Sequence, residues 1–401
     1  MKKESSHAVP AVVGCLVVQL CVGIIYLWSV LKVPYINALG MTAENAAMVS
    51  SYMLMAFVVG CLFGGICVDK KGPRFTCILG VCLFSVGIGS TALLGEGSCN
   101  LIYATYAGLG GLGSGFAYSA CISCIQKWMP TRRGLASGLA VAAFGLSTVI
   151  FAPVFTALMK VFTGADGLVN FTAFFAVLAG VFLVIGLVAC AFIRSAPAAV
   201  AGAAKDTKSF TLKEAIRNKR FWYIFVAVFT INGAWNLATP LLKPLGIDRG
   251  LTDALATAAV SCTGIASAAG RLVMAALADK LGCRTSLVIL SLLTVLASVA
   301  MIFLGGYGYF IAVALLAFAY GGPSSVNAAI TTNTFGPAHS GSIYGVILLA
   351  LGASSLFFNA IANNLLGGDV TATFIMAAIS ACVPMVMMYL LKVDAAKAEK
   401  A

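Results

Sequence analysis

Long apolar stretches constrain the fold of this chain more than any other feature of its sequence. Twelve of them follow one another, separated by short polar breaks. A helix of about 20 residues crosses the hydrocarbon core of a bilayer, because all of its backbone groups bond within the helix. The sequence therefore predicts an all-α polytopic membrane protein with twelve transmembrane helices.

The predicted helices follow these stretches in chain order. They cover residues 8–31, 46–68, 75–94, 100–125, 135–158, 167–193, 221–242, 254–278, 286–305, 308–333, 342–366 and 371–391. With 61% hydrophobic and 9% charged residues, a water-soluble globule is excluded. The first stretch is too long for a signal peptide and lacks a clear cleavage site, so we interpret it as helix 1.

Lysine and arginine are distributed unevenly over the two sides of the predicted membrane. When both termini and every second loop share one side, 20 of the 25 basic residues lie there and 4 lie opposite, with Arg271 inside an apolar stretch. Such a bias marks the cytoplasmic side. We expect a multi-pass protein of the inner (plasma) membrane with cytoplasmic termini. The net charge of +12 reflects this topology, and nucleic acid is not an expected partner.

The two halves of the chain repeat each other in parallel sense. Residues 69–74 match 279–284 at an offset of 210, and Pro130, Gly134 and Gly138 match Pro337, Gly341 and Gly345 at an offset of 207. A duplication of six helices is the simplest explanation. It predicts an N-terminal six-helix bundle over residues 1–193, a cytoplasmic linker over 194–220 and a C-terminal six-helix bundle over 221–401.

Within the linker, Thr211 is followed three residues later by Glu214, which is the pattern of a capping box. The pattern predicts a short amphipathic helix along the cytoplasmic surface. The basic residues of the linker either contact anionic lipid or belong to a solvated connector.

Arg271 is a permanent charge inside the apolar stretch 254–278, and Asp and Glu are absent from the interior of every apolar stretch. A charge at membrane depth is costly and normally faces a bundle interior or a wet cavity. The expected counter-ion is a small carboxylate, which the guanidinium holds through two hydrogen bonds. One fixed charge matches a monocarboxylate. The alternative is an arginine that bonds backbone carbonyls or lines a wall.

Enzyme chemistry has no support in the sequence. The residues 108–113 spell a dinucleotide fingerprint, but they lie in an apolar stretch without a βαβ unit, so we interpret these glycines as helix packing. The thirteen cysteines lack ligand-like spacing and are expected to be reduced and buried. We therefore expect neither catalytic residues nor a cofactor or metal site.

Residues 65–74, of the form G-xxx-D-K-x-G-x-R, resemble the loop signature of the major facilitator superfamily, and 279–284 repeat part of it. The resemblance implies two bundles that rock about a central site. It also implies gating roles for Asp69 and Arg74 and, by the repeat, for Asp279 and Arg284. The alternative for Asp69 is a plain helix cap.

The segments 26–30, 127–134 and 210–222, together with Gly270-Arg271, look like the oxalate/formate antiporter-like and bacterial monocarboxylate transporter group. This resemblance implies that Tyr26, Tyr118 and Tyr320 surround the anion. The oxalate type has a second buried cation on helix 11. Here residues 345–362 contain Ser354 and Ser355 but neither Lys nor Arg, which favours a monocarboxylate.

Other polar side chains at membrane depth complete the predicted binding site. They are Asn232, Trp235, Asn236, Ser267 and Asn327. Asn232 and Asn236 lie one helical turn apart, and Ser267 precedes Arg271 by one turn, where it could orient the guanidinium. Packing between helices is the alternative role for these residues. The sequence 321–323, Gly-Gly-Pro, is expected to break or bend helix 10.

These features predict a secondary active transporter of lactate, pyruvate or formate that works by alternating access. The interiors of the apolar stretches lack Asp, Glu, His and Lys, which leaves anion exchange or proton symport as the coupling. The expected partners are the small carboxylate, the lipid bilayer and, for symport, protons, and the chain is expected to be monomeric. Transport of drugs or neutral solutes, exchange of oxalate for formate, and a sensor or channel are the alternatives.

Overall fold

The computed structural model describes residues 7–23, 27–165, 167–197, 209–364 and 369–400, and most of them are helical. The helices are α1 Ala8–Val22, α2 Trp28–Leu39, α3 Ala43–Lys71, α4 Pro73–Thr91, α5 Gly111–Trp128, α6 Arg133–Val161, α7 Phe171–Phe192, α8 Leu212–Arg217, α9 Lys219–Ile231, α10 Gly233–Ala238, α11 Leu242–Asp248, α12 Asp253–Leu281, α13 Cys283–Phe303, α14 Gly306–Phe335, α15 Ser340–Asn364 and α16 Val370–Lys400. A 3₁₀ segment, Glu96–Tyr103, and a π segment, Ala104–Gly110, lead into α5.

The described residues contain eleven helices that are long and apolar enough to cross a membrane, and α1 is a shorter apolar helix. Together they correspond to the twelve predicted stretches. Two of the predicted helices are interrupted. The first is divided between α1 and α2, because α1 ends at Val22 with Gly23 as its C-cap. The seventh is divided at Asn232, which follows the last residue of α9.

The predicted break at residues 321–323 is not present, since α14 continues from Gly306 to Phe335 with Pro323 inside it. A proline removes one backbone donor, and neighbouring groups can supply the missing contacts within a membrane helix. The Gly-Gly-Pro sequence therefore lies within a helix, so the expected break of helix 10 is wrong, while a bend stays a prediction.

The helical chain divides into two compact units that are not continuous in sequence. The first comprises Met1–Pro130, Ala143–Asp206 and His339–Val346, and the second comprises Thr131–Ala142, Thr207–Ala338 and Ile347–Ala401. The first turns of α6 thus belong to the second unit, and the first turns of α15 belong to the first unit. The bundle boundaries at residues 193 and 221 stay a prediction.

Glycines allow close packing of α3 against α5 in the first unit. A Cβ added at Gly64 would lie 2.6 Å from the Cα of Phe116, and one added at Gly111 would lie 2.7 Å from the carbonyl oxygen of Met53. Real side-chain carbons do not approach so closely, so these backbones are in contact. The interpretation of these glycines as helix packing is confirmed.

The short helix α8 begins with the predicted capping box. The hydroxyl of Thr211 accepts a hydrogen bond from the Glu214 amide at 3.3 Å, and a carboxylate oxygen of Glu214 accepts one from the Thr211 amide at 2.8 Å. Each bond satisfies a donor that a helix start would otherwise leave free. Residues 198–208 of the linker lie outside the described part of the chain.

Candidate functional site

One face of α12 packs against the first turns of α6 within the second unit. A Cβ added at Gly134 would lie 2.5 Å from the Ala275 carbonyl oxygen, and one added at Gly138 would lie 3.0 Å from the Arg271 carbonyl oxygen. Residues 271, 275 and 279 follow one another at four-residue spacing and therefore share this face. The glycines allow the two backbones to meet, and Arg271 belongs to the face of α12 that makes this contact.

The Arg271 side chain has few partners for its five donors. It is 8% exposed, and its Nη1 donates to the carbonyl oxygen of Val141 over 3.5 Å, a long hydrogen bond. Its Nε atom is buried without a hydrogen-bond partner among the described residues. No acidic side chain bonds to the guanidinium in this part of the chain.

A second unpartnered donor lies one turn away from Arg271. The Ser267 hydroxyl is buried and makes no hydrogen bond within the described residues, so it does not orient the guanidinium. Ser325 of α14 instead donates to the backbone carbonyl of Arg271 at 2.9 Å. Two neighbouring polar groups on α12 thus have donors that find no acceptor among the described residues.

Aromatic and amide side chains of the second unit form two contacts between helices. The rings of Trp235 and Tyr320 stack with their centroids 4.7 Å apart and their planes at 13°. The Asn236 amide donates to the Ser354 hydroxyl of α15 at 3.3 Å. Ser354 lies within residues 345–362, where the resemblance to the oxalate type would place a second cation. Its bond to Asn236 is a contact between neutral side chains. This contact joins two helices, and a part of Asn236 in substrate binding stays a prediction.

The other two predicted residues of the second unit, Asn232 and Asn327, are both buried. The side chain of Asn232 donates to the Val228 carbonyl at 2.7 Å and so satisfies the end of α9. Asn327 is 4% exposed on α14. Asn232 and Asn236 lie one turn apart, because the Asn236 amide donates to the Asn232 carbonyl at 3.1 Å. That they form a polar stripe toward a cavity stays a prediction.

In the first unit, Tyr118 is the centre of an aromatic cluster. Its ring lies 5.1 Å from those of both Phe57 and Phe144, measured between centroids. Its hydroxyl is hydrogen-bonded to Tyr344 of α15. Tyr118 is 4% exposed. Tyr26, the tyrosine predicted on helix 1, lies outside the described residues.

Asp69 and Asp279, the aspartates predicted to gate, occupy matching places in the two units. The Asp69 carboxylate accepts hydrogen bonds from the amides of Gly341 at 3.3 Å and Ser342 at 2.7 Å, at the start of α15. A helix start presents unpaired amides and a positive dipole end, which a carboxylate neutralises. Asp69 therefore caps a helix that it does not belong to.

Asp279 does the same at the start of α6. Its two oxygens accept hydrogen bonds from the amides of Gly134 and Leu135, each at 2.7 Å. Arg74 is exposed, and Arg284 is half-buried at the start of α13. The structure thus assigns helix contacts to both predicted aspartates, while gating by all four residues stays a prediction.

Comparison with protein families identifies the fold. The family model of the Major Facilitator Superfamily matches residues 13–359. The chain belongs to this superfamily. It is therefore a multi-pass membrane transporter of small molecules and not an enzyme.

Relatives within the superfamily transport carboxylates, according to their names. The chain is 26% identical to the oxalate:formate antiporter of Oxalobacter formigenes, over 86% of this chain and 82% of that protein. It is 25% identical to apicoplast pyruvate carrier 1 of Toxoplasma gondii, over 89% of this chain and 83% of that protein. The structure of the E. coli fucose:proton symporter matches with a TM-score of 0.72 and 17% identity, covering 96% and 99% of the two chains, and supports the fold alone.

Sequence reasoning missed three buried polar residues of this superfamily member, two of which bond to other helices. Ser325 and Tyr344 gave no signal, because a serine or tyrosine is common in membrane helices and their partners are distant in sequence. Gln19 did give one, as an amide inside an apolar stretch. It is fully buried, and both of its amide atoms are without a partner in the described part of the chain.

Proposed function

We propose that this protein is a secondary active transporter of small monocarboxylates of the lactate, pyruvate or formate type. The observation that carries the proposal is the buried guanidinium of Arg271, whose Nε has no partner among the described residues and whose Nη1 makes one long contact. A substrate carboxylate would complete its hydrogen bonds and neutralise its charge. The names of the two relatives above support the same substrate class.

Charge balance favours one carboxylate over two. Arg271 is the only Lys or Arg inside the predicted apolar stretches. The neutral hydrogen bond from Asn236 to Ser354 supplies no second charge. A dianion bound to a single guanidinium would leave a negative charge uncompensated in a medium of low dielectric constant. The predicted Tyr26, Tyr118 and Tyr320 would add phenol donors around the anion.

The transporter would work by alternating access, with both termini in the cytoplasm. Asp69 and Asp279 would act as gates, because each closes a helix start with charge-assisted hydrogen bonds. Such bonds must break when the helix start moves away. Arg74 and Arg284, which follow the aspartates in the repeated loops, would contribute to the same two gates.

The experiment is uptake of radiolabelled lactate, pyruvate, formate and oxalate into proteoliposomes that contain the wild type or Arg271→Gln. We expect saturable uptake of a monocarboxylate that the substitution abolishes. Lys160→Gln, which removes one exposed charge at the end of α6, is the matched control and should transport normally. Carboxylate uptake that survives Arg271→Gln would leave drugs or neutral solutes as the better candidates. Uptake of oxalate alone would favour a dicarboxylate.

The coupling is tested with the same vesicles. For exchange, uptake should depend on a carboxylate preloaded inside. For symport, a pH gradient that is acid outside should drive uptake into empty vesicles. Saturable counterflow in either case would exclude a channel or a sensor that does not cycle.

A further inference from the structure

Three basic side chains line a cavity of about 600 Å³ within the second unit. They are Arg220 of α9, Arg284 of α13 and Lys392 of α16. The amide of Asn333 and the hydroxyl of Thr285 belong to the same wall. These groups are hydrogen-bond donors and cations, which is the chemistry that binds a phosphate group.

The cavity lies where five apolar spans end. Its wall includes residues near the start of α9 and at the start of α13, the last residue of α12, and residues near the ends of α14 and of the span Val370–Asp394. Span ends lie at the level of lipid headgroups. Leu281, which is 52% exposed, is part of the wall and offers apolar surface beside the cations.

Charges around the cavity do not cancel. Asp394 neutralises Arg220, since its carboxylate lies 3.8 Å from the Arg220 Nε and its backbone carbonyl accepts a bond from the Arg220 Nη2 at 3.0 Å. Arg284 and Lys392 form no ion pair with a carboxylate of the described residues. Arg133 adds a further cation beside the wall, because its Nη1 donates to the side-chain oxygen of Asn333 at 3.0 Å.

The start of α13 adds to this positive potential. Its N-cap is Gly282, which has no side chain to accept from the first amides, and its first turn contains no acidic residue. Helix starts of this kind attract anions through their free amides and the helix dipole. Together with Arg284 and Lys392, this helix start makes the cavity wall a site for a negatively charged group.

We propose that this cavity binds the phosphate of an anionic phospholipid headgroup in the cytoplasmic leaflet. The acyl chains of the lipid would lie along the exposed apolar surface that begins at Leu281. The choice of leaflet rests on the proposed orientation, because the cavity belongs to the side with the excess of Lys and Arg. Lipid binding does not depend on which solute is transported, so it fails or succeeds independently of the proposed carboxylate transport.

The test is a titration of the purified full-length protein in detergent with phosphatidylglycerol or phosphatidylcholine, followed by native mass spectrometry. The wild type should bind phosphatidylglycerol more tightly than phosphatidylcholine. Lys392→Gln should weaken phosphatidylglycerol binding about fivefold, since a basic residue near the surface contributes about that factor. Arg220→Gln/Lys392→Gln should weaken it more strongly, because the loss of Arg220 leaves the Asp394 carboxylate unpaired beside the cavity. Lys392 is exposed, so its single substitution should leave folding intact.

The matched control is Lys70→Gln/Lys71→Gln, which removes two exposed charges from the equivalent loop of the first unit and should bind the lipid like the wild type. Equal loss of binding in this control, or equal binding of the two lipids, would overturn the proposal. Displacement of phosphatidylglycerol by an excess of inorganic phosphate would also overturn it, because the site would then serve a soluble phosphate.

Discussion

Arg271 and Cys61 occupy equivalent positions in the two halves of the chain. They are 210 residues apart, which is the offset of the repeated loops. Ser119 donates to the Cys61 carbonyl at 2.9 Å, and Ser325 donates to the Arg271 carbonyl at the same distance. The two backbones therefore have the same packing, and the side chain at this position distinguishes the halves. The second half alone places a charge there.

The first prediction follows from this equivalence. Arg271→Cys places the residue of the first half in the matching setting of the second half, so the helix packing should survive. Thermal unfolding should occur at the wild-type temperature or above it, because a buried charge with few partners is removed. Carboxylate transport should fall by about 30-fold or more, the cost of losing a buried charged partner. A lower unfolding temperature would instead indicate a structural arginine.

The second prediction concerns the Asp279 carboxylate. Asp279→Asn keeps one oxygen for the Gly134 or Leu135 amide but removes the negative charge. We expect the state in which α6 is capped to lose about fivefold in population relative to the opposite state. Distances between spin labels on the two sides of the protein would measure the shift. Asp248→Asn, at an exposed helix end, is the control and should leave the distances unchanged.

The third prediction tests a close backbone contact. A Cβ added at Gly65 would lie 2.6 Å from the carbonyl carbon of Gly341, so Gly65→Ala should force α3 and the start of α15 apart. We expect the unfolding temperature to fall by several degrees and transport to decrease.

The control for this contact is Gly180→Ala. An added Cβ at Gly180, in the middle of α7, meets no atom within 4 Å. Alanine favours a helix over glycine by about 1 kcal/mol, so this variant should be as stable as the wild type or more stable. Equal destabilisation by both substitutions would contradict the close contact at Gly65.

The fourth prediction concerns the stacked pair Trp235 and Tyr320. Trp235→Ala removes the support of the tyrosine ring, whereas Trp235→Phe retains part of it. Stacking of this kind contributes about 0.5–1.5 kcal/mol beyond area burial. If Tyr320 donates to the substrate, the alanine variant should raise the KM for uptake severalfold, with a smaller change in the phenylalanine variant. An unchanged KM in both would place the pair outside the binding site.

Sequence reasoning predicted the membrane spans well because hydropathy is a local property of the chain. It failed at Gly23 and Asn232, where a helix ends inside an apolar stretch. At Asn232 the side chain accounts for the interruption, since it bonds to the Val228 carbonyl that the helix leaves free. Hydropathy is insensitive to such a bond, because one amide changes the average of a stretch very little.

The candidate site was predicted less completely than the fold. Arg271 was evident as a charge among apolar residues, and its buried, nearly partnerless state agrees with that interpretation. The bond from Asn236 to Ser354 joins residues 118 positions apart. Nothing in either local sequence distinguishes this pair from other polar residues in membrane helices.

The cysteines are a further case in which the tertiary structure reveals a contact that the sequence does not. Their sequence positions are scattered, yet the Sγ atoms of Cys77 and Cys121 lie 3.6 Å apart in the first unit. A Cβ added at Gly80, close to Cys77 on α4, would lie 2.6 Å from the Ala117 amide nitrogen of α5. This close approach of two helix backbones brings the thiols together.

By itself the sequence predicted the apolar spans, the uneven distribution of basic residues over the loops, the internal repeat and the single arginine within an apolar stretch. These are local or periodic properties, and solvation decides them along the chain. The tertiary structure decided which groups meet: Asp279 with the start of α6, Ser325 with the Arg271 carbonyl, and Arg220 with Lys392 around one cavity. Such contacts depend on how closely helix backbones pack, which the pattern of a single helix does not contain.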